Sequence, residues 1–166
     1  MPEASESKRL LRTALIIAGV GLIILVPLGW LALRMWDDTV QRKIIAANES
    51  AALSNLAGLQ SAEDYYFRAN GEYGTFQQLV DSGIVQTEMS GDPPAAHGYV
   101  FTVRVQPKTA TQPASYGVNA DPVRAGGRDA TGRRHFFAGS EVVGVRYNET
   151  RPATKDDRPR PTMQDY

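Results

Sequence analysis

His97 and His135 are the two histidines of this chain. An imidazole titrates near neutral pH, so either could act as a general base or bind a metal. His135 sits in "RRHFF", a predicted strand, and His97 lies in a loop beside Gly98. Both read as ordinary strand and loop residues, since no His-rich or Cys-containing metal spacing surrounds them. The chain has no cysteine, which excludes disulfides, iron–sulfur clusters and thiol nucleophiles. Glu63-Asp64 sets two carboxylates side by side, but neighbours on a helix do not face each other and make a poor dyad. They read as a solvated helix face. "GVG" at 19–21 lacks the preceding strand of a phosphate-binding loop. The expectation is a protein that is not an enzyme, with no catalytic, metal or cofactor-binding residue.

Other motifs point to packing. Tyr65, Tyr66, Phe67 and Tyr73 read as a junction between helix and sheet. Arg124, Arg128, Arg133 and Arg134 read as a solvated basic loop, with an acidic partner surface or lipid headgroups as the functional alternative. Asn48-Glu-Ser50 and Asn148-Glu-Thr150 match glycosylation sequons, a triplet that often arises by chance.

These residues must be positioned by a chain of 166 residues, enough for one modest domain plus extensions. Lysine plus arginine equals aspartate plus glutamate, at 18 each, so no global field attracts nucleic acid. Residues 13–33, "TALIIAGVGLIILVPLGWLAL", run without a charge and contain 12 Leu, Ile and Val. At about −0.3 to −0.6 kcal/mol each, those residues favour insertion into a bilayer by about 4 to 7 kcal/mol. The pattern predicts a transmembrane helix over 13–35, with Arg12, Trp30, Arg34 and Trp36 at the membrane interface. Ala14, Ala18 and Gly21 are small enough to let another helix approach. No histidine lies in this run, so it offers no axial ligand to haem or chlorophyll. Lys8, Arg9 and Arg12 precede it, and the positive-inside rule puts the N-terminus in the cytoplasm. The expected location is a bacterial inner membrane, crossed once, with a periplasmic C-terminal domain. A tail over 1–12 precedes the span.

From Trp36 to Ala69 no proline interrupts a stripe of Val40, Ile44, Leu53, Leu56, Leu59 and Tyr66. One helix is therefore predicted from about residue 8 to about residue 69, stopped at Asn70-Gly71. Thr75 caps a short helix, "FQQLVDSG", that ends at Gly83. Strands follow in "GYVFTVRVQ", "ASYGVNADPV" and "RRHFFAGSEVVGVRYN", the last with a turn near Gly139-Ser140. Tyr99, Phe101, Val103 and Val105 share one face. Residues 36–147 form the domain, and its sheet must pack on the long helix. The fold class is α+β.

The tail 148–166 holds three prolines and eight charged residues. That composition builds no core, so it is expected to be disordered until laid on a partner. Arg151, Arg158 and Arg160 would reach carboxylates there, and Tyr166 would anchor the end. Deleting 149–166 is expected to leave the domain folded.

Between about Ser54 and Arg146 the chain resembles the type IV pilins and type II secretion pseudopilins. "SNLAGLQSAEDYYFRANGEYGTFQQLVDSGIV" is similar to the family's helix end, Gly-x-Tyr turn and short second helix. "HGYVFTV", "YGVNADPV" and "GRRHFFAGSEVVGVRY" are similar to successive strands of minimal pilins. The resemblance implies a long helix packed on a small antiparallel sheet. Family precursors carry a leader ending in glycine before a phenylalanine or methionine, and a glutamate soon after. Here "KRLLRTALIIAG" supplies neither, and 13–33 has no acidic residue. The expected function is that of a scaffold subunit, acting through its anchor, domain and tail in a larger membrane complex. A photosynthetic or respiratory complex is a candidate host. Partners would be other membrane subunits and the lipid bilayer, with no nucleic acid. The alternative is a divergent minor pilin or pseudopilin.

Overall fold

A computed structural model describes residues 3–85, 89 and 92–160, with side chains of 3–22, 24–25, 31–33 and 36 excepted. The elements are helix α1 (Glu3–Asn70), helix α2 (Phe76–Asp81), and strands β1 (Ala95–Ala96), β2 (Tyr99–Gln106), β3 (Ser115–Pro122), β4 (His135–Gly139), β5 (Arg146–Asn148) and β6 (Arg158–Pro159). The chain divides into two compact units, Met1–Arg42 and Lys43–Tyr166.

In the first unit, Arg34 lies over the Trp30 ring at 4.3 Å, and the Thr39 hydroxyl donates to the Met35 carbonyl at 2.8 Å. Among the described residues, no helix is long and apolar enough to cross a membrane. That finding overturns the transmembrane helix expected over 13–35, and with it the single-pass inner-membrane location and periplasmic domain. A span needs about 20 consecutive apolar residues. The apolar side chains described ahead of Arg34 are Ile23, Val26, Leu28 and Trp30, with Pro27 and Gly29 among them. Asp37, Asp38, Arg42 and Lys43 follow closely and would carry charge into any longer window.

In the second unit, the six strands form one antiparallel sheet in the order β1-β2-β3-β4-β5-β6. Each strand pairs with the next in sequence, so short turns suffice. Strand side chains alternate between faces. Tyr99 and Phe101 on β2, Tyr116, Val118 and Ala120 on β3, and Phe136 and Ala138 on β4 make the inner face. Ala52, Leu56, Leu59 and Ala62 of α1 cover it, at helical spacing, and Leu79 of α2 closes one end. Gly132 leaves room for the Tyr99 hydroxyl, which donates to the Arg134 carbonyl at 2.9 Å; a Cβ there would collide with that ring.

Local chemistry sets the helix ends. At the end of α1, Asn70 bonds back to the Tyr66 carbonyl, and Gly71 takes a φ of +77° as its N–H donates to Phe67. Thr75 and Gln78 form a capping box: the Gln78 N–H donates to the Thr75 hydroxyl at 3.3 Å, and the Thr75 N–H to the Gln78 amide oxygen at 2.8 Å.

The segment after β5 differs from the expected disordered tail. Asp157 gathers it into a turn. Its carboxylate accepts from the Thr154 N–H at 2.8 Å and the Asn148 amide at 2.8 Å, and pairs with both terminal nitrogens of Arg151 at 3.0 and 2.9 Å. Those donors hold its pKa far below the usual carboxylate range. Ala153 is buried against the sheet's outer face, and its carbonyl accepts from the Asn119 amide at 2.7 Å. Part of the region 148–166 thus belongs to the fold, because long-range side-chain bonds supply what its composition lacks. Removing residues 149–166 should lower the thermal midpoint of the full chain by at least about 4 °C, equivalent to roughly 1 kcal/mol for a domain of this size. Differential scanning calorimetry of the two lengths checks this, and equal midpoints would contradict the structural role of Ala153 and Asp157.

Candidate functional site

The buried carboxylate of Glu63 is the polar group most at odds with its surroundings. Positions 52, 56, 59 and 63 are spaced by four, three and four residues. That spacing puts Glu63 on the core face of α1, and its relative exposure is 0%. Asp64, one step around the helix, is exposed. The expected solvated pair is therefore split between core and surface. One Glu63 oxygen, Oε2, accepts from the Gly74 N–H at 2.9 Å; the other, Oε1, is buried without a hydrogen-bond partner. Burial pushes its pKa up to about 7, against the lowering effect of the Gly74 bond and with a smaller push from Asp64.

Aromatic rings crowd the same end of the helix. Phe67 and Tyr73 stack at 4.6 Å between centroids, and Tyr73 meets Tyr116 at 4.7 Å. Burial, with Asp64 and then Glu63 nearby, raises the Tyr116 pKa to about 12. Tyr65 points away, at 64% exposure, while Tyr66 and Tyr73 pack on the core. Glu63 ties α1 to the turn before α2, and the tie is sensitive to ionisation.

A second polar pair lies on the outer face. His135 Nδ1 is 2.6 Å from Asp121 Oδ1, and both are largely covered. The contact orients the ring. His97, with a φ of +49°, sits in the turn between β1 and β2 and does not meet it. Among the described residues no group of three metal-ligating side chains forms.

Arg124 and Arg134 of the basic loop are engaged within the chain through their side chains, and Arg133 through its backbone. Glu49 accepts from the Arg133 N–H at 3.0 Å and lies 3.5 Å from Arg134, which also reaches Glu149 at 3.8 Å. Arg124 bonds to the Asp129 carbonyl at 2.9 Å. Both sequon asparagines use their amides internally, Asn48 on Thr131 and Asn148 on Asp157.

A groove of about 450 Å³ runs over the outer face, between β2, β3, β4 and the segment 153–155. Phe137 forms its floor, laid close over Gly117, where a Cβ would sit 2.8 Å from the ring. Arg104 and the 2.7 Å Lys155–Glu141 pair are its charged lining. Nothing in the hydropathy pattern signals this groove, because the residues that line it come from distant parts of the chain.

The residues expected to contact partners fall in different places. Trp30 and Arg34 contact each other in the first unit. The backbone of Arg12, Ala14, Ala18, Gly21 and Trp36 lies in α1, while their side chains fall outside the described residues. Arg151 is exposed and paired with Asp157. Arg158 and Arg160 are exposed, and Tyr166 lies outside the described residues. The chain matches no protein-family model, no curated protein and no solved structure.

The Glu63 environment sets a pH dependence. Below about pH 4.5 the carboxyl is protonated in the folded and unfolded states alike and its stability contribution is fully present. Between about 4.5 and about 7 the unfolded chain releases the proton and the folded chain keeps it, so stability falls as pH rises. The loss levels off above about pH 7, at about 3 kcal/mol. Urea titrations of wild type and Glu63→Gln from pH 5 to 8 should show this fall in wild type and a flatter profile in the variant. Parallel profiles would mean that Glu63 carries no linked proton.

Proposed function

We propose that this chain is a non-enzymatic scaffold subunit of a larger protein assembly. The apolar surface of the first unit carries this reading. Ile23 is 73% exposed, Val26 61%, Trp30 58% and Met35 64%. Exposed apolar patches mark interaction sites, because each such side chain gains about 1.5–3 kcal/mol when another surface covers it. Ile23, Val26 and Trp30 recur at three- and four-residue spacing, which presents them on one side of a helix to a facing helix. The second unit supports the reading in another way. It has a closed core and a self-satisfied C-terminal turn, so it can fold while the first unit engages a partner.

A divergent minor pilin or pseudopilin is the second reading. The order of long helix, short capped helix and antiparallel meander favours it. Electron microscopy of the native material separates the two, since filaments would support the pilin reading and discrete particles the scaffold.

Native protein sized by light scattering, with co-purifying chains identified, tests the assembly. A discrete complex much heavier than the 18.1 kDa protomer is expected. Ile23→Asp with Trp30→Asp should release the partners at least tenfold more readily and leave the thermal transition of the second unit in place. A lone protomer at every concentration would overturn the proposal.

A further inference from the structure

Among the described residues, the sheet has one long edge with no strand beside it. Strand β1 meets β2 at Tyr99 and Val100, and the Phe101 N–H donates outward to the Pro94 carbonyl at 2.8 Å. Pairing with β1 ends there. In an antiparallel ladder, successive residues send their N–H and C=O groups alternately to the two sides. Tyr99 and Phe101 send theirs away from β3, so Val103 and Val105 do the same. Thr102, Arg104 and Gln106 send theirs to Asn119, Gly117 and Ser115 on β3. Two N–H and two C=O groups therefore line an edge that, among the described residues, has no strand beside it. The opposite edge is unlike it, since β6 is two residues long and ends in Pro159.

The side chains along this edge state what would fit. Val103 and Val105 stand on the inner face and are only half-buried, unlike Tyr99 and Phe101 earlier in the strand. Arg104 stands on the outer face and is exposed. Its hydrogen bond goes to a neutral group, Asn119 Oδ1, at 2.7 Å, and among the described residues it meets no carboxylate. Lys108 adds a second positive charge just beyond Pro107. Arg104 and Gln106 also line the 450 Å³ groove, so the open edge and the groove meet at these two side chains.

We propose that the β2 edge from Thr102 to Gln106 takes an extended acidic segment of a partner protein as a seventh strand. The segment would bond to the N–H and C=O groups of Val103 and Val105. Apolar residues would lie opposite those valines, and an Asp or Glu between them would face Arg104. Main-chain bonds supply the affinity of such strand addition and alternate side chains its specificity. A second copy fits less well. The symmetric register that sets Val103 opposite the copy's Val105 also sets Arg104 against Arg104, and like charges directly opposite destabilise a strand pair. This surface belongs to the second unit and stands independently of the helical surface above.

The probes are two blocked heptapeptides, Thr-Thr-Val-Glu-Val-Thr-Thr and its Lys-for-Glu counterpart, added to the full chain. Residue-resolved amide exchange should show at least tenfold slower exchange at Val103 and Val105 with the Glu peptide. Exchange at Thr102 and Arg104, already bonded to β3, should be unchanged. The Lys peptide should bind at least tenfold more weakly. Arg104→Glu should reverse that preference while β3 and β4 keep their protection, which shows that the variant is folded. N-methylation of both peptide valines should cost at least tenfold in affinity. Equal affinity for the two peptides would overturn the acidic assignment. Failure of either peptide to slow Val103 and Val105 would overturn the open edge. Slowing of those amides with protein concentration alone, without peptide, would show a second copy there and overturn the proposal.

Discussion

The second unit depends on one seam, where Ala52, Leu56, Leu59 and Ala62 of α1 meet the inner face of the sheet. A sheet of short strands cannot bury both faces by itself, and its inner aromatic residues need a cover. Tyr99, Phe101 and Phe136 are fully buried only because the helix lies over them. The helix is held in turn at its end, where Glu63 binds the Gly74 N–H and α2 sets Leu79 into the same core. A carboxylate in that seam is costly when charged. Its one hydrogen bond fixes the turn, and its unpaired oxygen makes the tie dependent on protonation.

The two faces of the sheet are built on different terms. The inner face is sealed by apolar packing. The outer face is partly covered by a turn that has little apolar substance of its own and is held by directed bonds. Asn119 grips the Ala153 carbonyl, and Asp157 collects Asn148, Arg151 and Thr154. Directed bonds leave gaps that close packing does not, and the groove over Phe137 is one of them. The open β2 edge borders that gap. Among the described residues, backbone groups without a strand and an arginine without a carboxylate therefore lie next to each other.

Much of the second unit was legible in local sequence. The Thr75–Gln78 capping box, the Asn70-Gly71 stop and the alternation of "YVFTVRV" each depend on residues a few positions apart, and the structure contains all three. Strands β1 and β6, at two residues each, are too short to show any period. By residue type Glu63 reads as surface, although its spacing from Leu56 and Leu59 places it inward. The C-terminal turn is invisible to composition for a different reason. Composition describes what a segment can bury, whereas Asp157 acts through bonds made after folding. The apolar run over 13–33 is the strongest signal in the chain, yet among the described residues no helix is long and apolar enough to cross a membrane.

Helical periodicity alone cannot say what covers an apolar residue. Leu56 and Ile23 both lie on α1 among apolar neighbours at three- and four-residue spacing. Leu56 is wholly buried by the chain's own sheet, and Ile23 is mostly exposed. The difference is topological, because the strands follow the second half of the helix in sequence and fold back on it. Within the second unit, the sheet's inner face is occupied by Ala52, Leu56, Leu59 and Ala62. The proposed reading of the chain as one component of a larger assembly rests on that exposure, because Ile23, Val26 and Trp30 gain free energy when another surface covers them.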